Sequence, residues 1–296
     1  MIDRFLDYLR YERNRSELTV KNYADDLKAF EMFFQRLDAQ IDWTTVDQDI
    51  IRFWMEEMMD KGNKPSSVRR RLSALRTFYR YALSREWVKT DPTRKIKSPK
   101  VEKPLPQFVK ESEINQLLDD KPEGNDFLSV RDYTIVALFY ATGMRMAELI
   151  GLDDRDVDFD NRTIKVTGKR NKQRIIPFGD ETARHLHYYI CTREENHIDG
   201  GGILFVEPDG RRITRYHVTT LVKRELSKVT TLKKRSPHVL RHSFATGMLN
   251  HEASLEAVRK LLGHATLATT EIYTHTTFEQ LKQSYQKAHP RSKNDK

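Results

Sequence analysis

At 296 residues the chain is long enough for two domains, each with its own core. Lys and Arg number 52 against 43 Asp and Glu, a formal charge of +9 with a pI near 9.4, which fits a polyanionic partner. The single cysteine, Cys191, excludes an internal disulfide and a cysteine zinc site, while the charged start and the want of a membrane-length apolar run predict a cytoplasmic protein with no membrane partner.

The first hundred residues read as a helical bundle. Val20, Tyr23, Leu27, Phe30 and Phe34 recur at steps of three and four, an apolar stripe along one helix. Thr45 with Gln48 forms a capping-box pattern that opens the next helix, which stops at Lys61-Gly62 with Pro65 just beyond. Ser66 begins a third helix carrying Val68, Leu72, Leu75, Phe78 and Tyr79 inward. Its other face holds Arg69, Arg70, Arg71, Arg76 and Arg80, a surface suited to tracking phosphates, although such a charged face also serves simply to stay solvated. Residues 96–108 carry Pro99, Pro104 and Pro106 among charges, and read as an extended interdomain linker. Before Pro99 stand 20 basic and 16 acidic residues, and from it onward 32 and 27, so both halves are basic.

Beyond the linker, Ser129 and Asp132 give a capping signature before the apolar run Tyr133 to Ala141. Arg162–Thr167 and Gln173–Pro177 are short β-prone runs around Gly168-Lys169-Arg170-Asn171-Lys172, which predicts a β-hairpin with Lys169 at its tip. Ile203–Val206 offers a further strand, and helices dominate from Tyr216 to the end. Arg145 in Thr142-Gly-Met-Arg145-Met-Ala-Glu148 and Arg241 in His238-Val-Leu-Arg241-His242 are candidates for an anion clamp, because guanidinium keeps its charge and grips phosphate with a bidentate fork. Arg145 and Glu148, three apart, equally suit a plain surface ion pair. His238 and Arg241 share one helix face, entered through Pro237. Gly263 ends a helix just before His264, and Tyr273 follows, flanked by Thr270 and His275.

The ordered set Arg145, Lys169, His238, Arg241, His264 and Tyr273, inside the phrases His238-Val-Leu-Arg-His, Leu262-Gly-His264 and Glu271-Ile-Tyr273-Thr-His, resembles the tyrosine recombinase (phage integrase) family, and within it the Xer-type site-specific recombinases. The resemblance runs from Met1 to about Pro290. It implies a mainly α fold: a helical-bundle amino-terminal DNA-binding (SAM-like) domain over 1–95, a linker over 96–108, and a mostly helical catalytic domain over 109–296 with a small antiparallel β-sheet. Together these would form a C-shaped clamp on DNA. Tyr273 would be the nucleophile giving a 3′-phosphotyrosyl enzyme, with Tyr285 as its rival. Lys169, ahead of Lys172, would protonate the leaving 5′ oxygen, and Lys172 would join the DNA-binding residues. His264 would donate to the phosphate, and His238 would act either as proton acceptor or as hydrogen-bond donor.

No cofactor is implied, since arginines stand in for metal and the covalent link conserves bond energy. The implied partners are duplex DNA with a two-armed site, a homotetramer or a heterotetramer with a second recombinase on paired sites, and a DNA translocase. The expected role is resolution of chromosome or plasmid dimers through a Holliday junction. An integrase or transposase of a mobile element, a type IB topoisomerase and a non-catalytic DNA-binding relative are the other readings. The segment 277–288 reads as a terminal helix with Phe278, Leu281 and Tyr285 in a stripe; the resemblance has it dock into a neighbouring protomer, the alternative being packing on its own domain.

Overall fold

The computed structural model describes residues 1–101, 107–122, 124–168, 171–263 and 275–292. It divides into two compact units, Met1–Pro104 and Leu105–Lys296. Both are mainly helical.

In the first unit α1 (Ile2–Asp7) runs into a π-helical turn, Tyr8–Glu12, followed by α2 (Glu17–Leu37), α3 (Gln48–Asp60) and α4 (Pro65–Ser84). The stripe predicted along α2 buries Val20, Leu27, Phe30 and Phe34 against Trp43, Trp54 and the inward face of α4. Aromatic edges tie these helices together, Phe30 lying 4.8 Å from Trp54 and Trp43 lying 4.5 Å from Phe78 between ring centroids. The cap of α3 differs from expectation. Asp47, one residue from the helix, accepts from the amides of Asp49 and Ile50 at 2.9 Å each, whereas Thr45 turns back to accept from the Asp42 amide. Ile96, expected to open the linker, is 5% exposed in this core, because Arg76 reaches across to its carbonyl and to Ser98 Oγ.

The second unit is built around α6 (Phe127–Thr142), a helix buried on nearly every side. It starts earlier than the sequence pattern suggests. Asp126 caps it by accepting from the Ser129 amide at 2.9 Å, which leaves Asp132 inside the helix and buried, bonded by Arg131 and Arg224. Around α6 lie α5 (Glu111–Asp119), α7 (Met146–Ile150), α8 (Asp180–Glu195), α9 (Arg215–Val229), α10 (Pro237–Asn250), α11 (Leu255–Leu262) and α12 (His275–Ala288). The strands β1 (Val157–Asp158), β2 (Thr163–Thr167) and β3 (Gln173–Pro177) form an antiparallel sheet in that order, with Ile164 opposite Ile176 and Thr167 opposite Gln173. The predicted hairpin is therefore present, and a third short strand extends it. Ile203–Val206 does not become a strand: Ile203 and Val206 each make one isolated bridge, to Asp153 and Arg212. Among the described residues no helix is long and apolar enough to cross a membrane.

Candidate active site

Two helix ends frame the site. Helix α6 ends at Gly143 with φ +58°, and α11 ends at Gly263 with φ +63°, left-handed conformations that glycine adopts without a Cβ penalty. A Cβ on Gly143 would lie 2.4 Å from Phe244 Cδ1, so this turn has no room for a side chain. Carbonyls at the end of a helix lack intrahelical partners and carry partial negative charge. Here three guanidiniums satisfy them. Arg241 donates to Gly143 O at 2.6 Å and to Leu262 O at 2.7 Å, Arg145 to Gly263 O at 3.2 Å, and Arg174 to Leu261 O at 2.8 Å.

Arg145 stands at the N-cap of α7, not on the helix itself. Its amide donates to Glu148 Oε2 at 2.7 Å and its guanidinium to Oε1 at 2.8 Å. The ion pair read from the sequence thus exists but is no surface pair, since Glu148 is 3% exposed. Arg174 closes the other side of that carboxylate with two bonds, at 2.7 and 2.9 Å. Burial works against the charge on Glu148, yet the hydrogen bonds from Arg174 and Arg145 hold its pKa below the ordinary carboxylate range. The far end of α7 is fixed by Arg212, which donates to the carbonyls of Ile150 and Leu152 and to Asp153.

Arg241 projects from the second turn of α10, and His238 lies one turn earlier, beside Pro237 at the helix start. Burial, reinforced by Arg145 and Arg174, lowers the Arg241 guanidinium to about 10, which still leaves it charged at neutral pH. Desolvation, then the charges of Lys234, Arg241, His242 and Arg145, lowers His238 below the ordinary imidazole range. The result is a part-exposed cluster of positive charge with an imidazole of lowered pKa at its edge.

The structure brings together Arg145, His238 and Arg241. Lys169, His264 and Tyr273 lie outside the described residues, although the turns that lead into Lys169 and His264 are described. Gly168 bonds back to Lys172 O at 2.8 Å at the base of the hairpin, where Lys172 is exposed, and Gly263 closes α11. Tyr285, the rival for Tyr273, is 1% exposed, stacked on His289, and burial pushes its phenol above the ordinary tyrosine range. A sealed phenol of this kind is a poor nucleophile. Leu281, Tyr285 and Ala288 bury the apolar face of α12 in the core of its own unit, so in this structure the terminal helix packs in cis. Arg291 fastens the segment beyond it, pairing with Glu181 on α8 and, at 2.9 Å, with Asp119 on α5.

The arginine face of α4 is divided. Arg69, Arg70 and Arg80 are exposed, but Arg70 also forks onto the buried Asp26 of α2, Arg71 faces Asp26 as well, and Arg76 binds Ile96 and Ser98. Three of the five therefore stitch the first unit together. The sequence does not single out Arg174, and the surface ion pair it offers as an alternative for Arg145 and Glu148 is excluded by the burial of Glu148. A signal for Arg174 was present, since it occupies an inward position of β3, where the burial alternates.

The phage integrase family model matches residues 107–280, and the model of the phage integrase N-terminal SAM-like domain matches residues 2–86. A relative named tyrosine recombinase XerC from Chlorobaculum tepidum is 36% identical over 314 residues, which cover 97% of this chain and 94% of that protein. A tyrosine recombinase XerD from Staphylococcus haemolyticus is 37% identical over 297 residues, covering 99% of both. Among solved structures, the XerH site-specific recombinase bound to difH substrate in a pre-cleavage complex superposes with a TM-score of 0.69 at 25% identity, covering 96% of this chain and 82% of that one.

Proposed function

This chain belongs to the phage integrase family and is a DNA-cleaving and rejoining tyrosine recombinase, and we propose that Arg145 and Arg241 form the phosphate clamp of its strand-exchange site. The reading is carried by one observation: both guanidiniums are anchored on carbonyls of the turn that ends α11, and Arg241 also on the turn that ends α6. Such anchoring fixes the donors before substrate arrives, so that little reorganisation is left for the transition state. The Tyr273 phenolic oxygen attacks the scissile phosphorus, the bond to the 5′ oxygen breaks, and that oxygen takes a proton from Lys169. The product is a 3′-phosphotyrosyl enzyme and a free 5′ hydroxyl. Extra negative charge on the non-bridging oxygens falls to Arg145, Arg241 and His264. The lowered pKa of His238 leaves a neutral imidazole at neutral pH, which favours its role as acceptor of the Tyr273 proton over that of a charged donor. Attack by the 5′ hydroxyl of a second strand reverses the step without ATP or a divalent ion.

The substrate is a two-armed duplex site bound by a pair of protomers, and two such sites assemble a tetramer, either of this chain or with a second recombinase. Exchange proceeds through a Holliday junction in two rounds, and resolution of chromosome or plasmid dimers is the role consistent with the Xer names of the relatives. A DNA translocase is a further partner of that role, while Arg69, Arg80 and Lys172 meet the phosphate backbone. Covalent capture on genomic DNA, sequenced at the adducts, would give the site. Two direct copies of it on one plasmid should then be resolved into two circles by this protein with its partner recombinase. Capture scattered without a shared sequence, together with plasmid relaxation only, would contradict site-specific exchange.

A further inference from the structure

We infer that Arg174 is a positioning residue for strand cleavage, balancing Glu148 so that the Arg145 charge stays available to the phosphate, and holding the turn before His264 in place. The inference rests on the cleavage reading above and adds a residue to it.

Arg174 is 8% exposed and spends its guanidinium on two partners that belong to different parts of the site. Its fork takes both oxygens of Glu148, at 2.7 and 2.9 Å, and its Nε donates to Leu261 O at 2.8 Å. Glu148 in turn receives two bonds from Arg145. One buried carboxylate therefore faces two arginines, and this matters for charge. With Arg174 in place, Arg174 balances Glu148, and Arg145 and Arg241 keep two net positive charges for a phosphate. Without it, Glu148 would be left buried with Arg145 as its remaining cation, and would draw that guanidinium inward and neutralise it. The clamp would lose both charge and aim.

The contact with Leu261 carries the second effect. Arg174 lies flat against the glycine turn, where a Cβ on Gly263 would meet its Cδ, Nε and Nη1 at 3.1 Å. On the other side a Cβ on Gly168 would sit 3.1 Å from Glu148 Oε1 and 3.8 Å from Arg174 Nη1. The Arg174–Glu148 pair is thus the floor beneath two turns, one leading to Lys169 and one to His264. Lysine cannot replace this arrangement, because an ammonium has no planar fork to span a carboxylate while reaching a carbonyl.

The test is single-turnover cleavage of a short nicked duplex carrying the site recovered by covalent capture, with Arg174→Lys compared to the wild type. Rate constant, adduct amplitude and duplex affinity are read separately on folded protein. We expect the rate constant to fall roughly 30- to 100-fold, on the order of what a small misplacement of catalytic groups costs, with amplitude and affinity within about threefold. Should Lys at this position leave no folded protein, Arg174→Gln, which keeps a planar donor and acceptor, is read in the same way. A wild-type rate constant overturns the inference, and so does a lost amplitude at an unchanged rate, which marks a residue needed only for folding. Absence of an adduct with the wild type instead overturns the cleavage reading itself, and the inference with it.

Discussion

His289 closes the segment beyond α12, and its protonation should control how firmly that helix is held. The ring is 2% exposed and packed against Tyr140, Phe244 and Tyr285. Nε2 donates to Tyr140 O at 3.3 Å, while Nδ1 accepts from the Arg291 amide at 3.2 Å, so both ring nitrogens are committed to the neutral tautomer. Burial pushes the imidazole down to about 4, against smaller upward pulls from the Tyr140 carbonyl and Glu181. The unfolded ring titrates near 6.5. As pH falls below that value the unfolded chain gains a proton that the folded one refuses, so stability declines until about pH 4 and then levels. Between about pH 7 and pH 4.5 the loss comes to about 2 kcal/mol, or roughly 4–8 °C in the melting midpoint of a unit of this size. His289→Gln keeps a donor and an acceptor but never charges. Thermal melts of both proteins should therefore converge as the pH is lowered, the wild type losing its share of stability and the variant not. Glu181, whose pKa the Arg291 and His185 partners hold at about 2 against its burial, contributes stability that fades only below about pH 4.5 and is common to both proteins. Parallel melting curves for the two proteins over this range would refute the assignment of a neutral, buried His289.

Arg241→Lys should cut the cleavage rate constant roughly 100-fold with duplex affinity little changed, since one ammonium cannot hold Gly143 O and Leu262 O while facing a phosphate; single-turnover assays decide, and a near-normal rate would remove Arg241 from the clamp. Replacing the exposed Arg69 and Arg80 with Gln should lower the slope of log affinity against log salt by about 2. Arg70→Gln should instead reduce thermal stability with less effect on that slope, because Asp26 loses its partner; equal slopes in all three proteins would place the arginine face of α4 away from DNA. Gly143→Ala should destabilise the second unit by about 3 kcal/mol, combining left-handed backbone strain with overlap onto Phe244; an unchanged denaturation midpoint would contradict the tight turn.

Much of this architecture is written in local signals. The stripe of α2, the Pro237 entry to α10, the β2–β3 hairpin and the Gly263 stop are each decided by a few neighbouring residues, and the sequence shows them directly. Helix starts were harder to read where two capping residues compete, as with Thr45 against Asp47 and Ser129 against Asp126. The burial of Glu148 was not legible at all. Nothing around it in sequence says that Arg174, on a distant strand, will close over its far side. The division of the α4 arginines is hidden for the same reason, since it depends on Asp26 and Ile96, which come from other segments. The apolar stripe of α12 announces a buried face but does not say whose core receives it; packing of Leu281 and Tyr285 against the unit's own helices gives the cis answer here. The candidate set is proposed from its order and its local phrases, whereas the groups that hold Arg145 and Arg241 in place come together only in three dimensions.

The most direct test of the account is the identity of the residue that becomes joined to DNA. The wild type and the variants Tyr273→Phe and Tyr285→Phe should be incubated with a nicked duplex carrying the captured site, in chelator, and the adduct resolved by denaturing electrophoresis and peptide mapping. The account predicts an adduct with the wild type and with Tyr285→Phe, mapped to the peptide containing Tyr273, and none with Tyr273→Phe despite near-normal duplex binding. An adduct that persists in Tyr273→Phe, or that vanishes in a folded Tyr285→Phe while Tyr273 is intact, would contradict it.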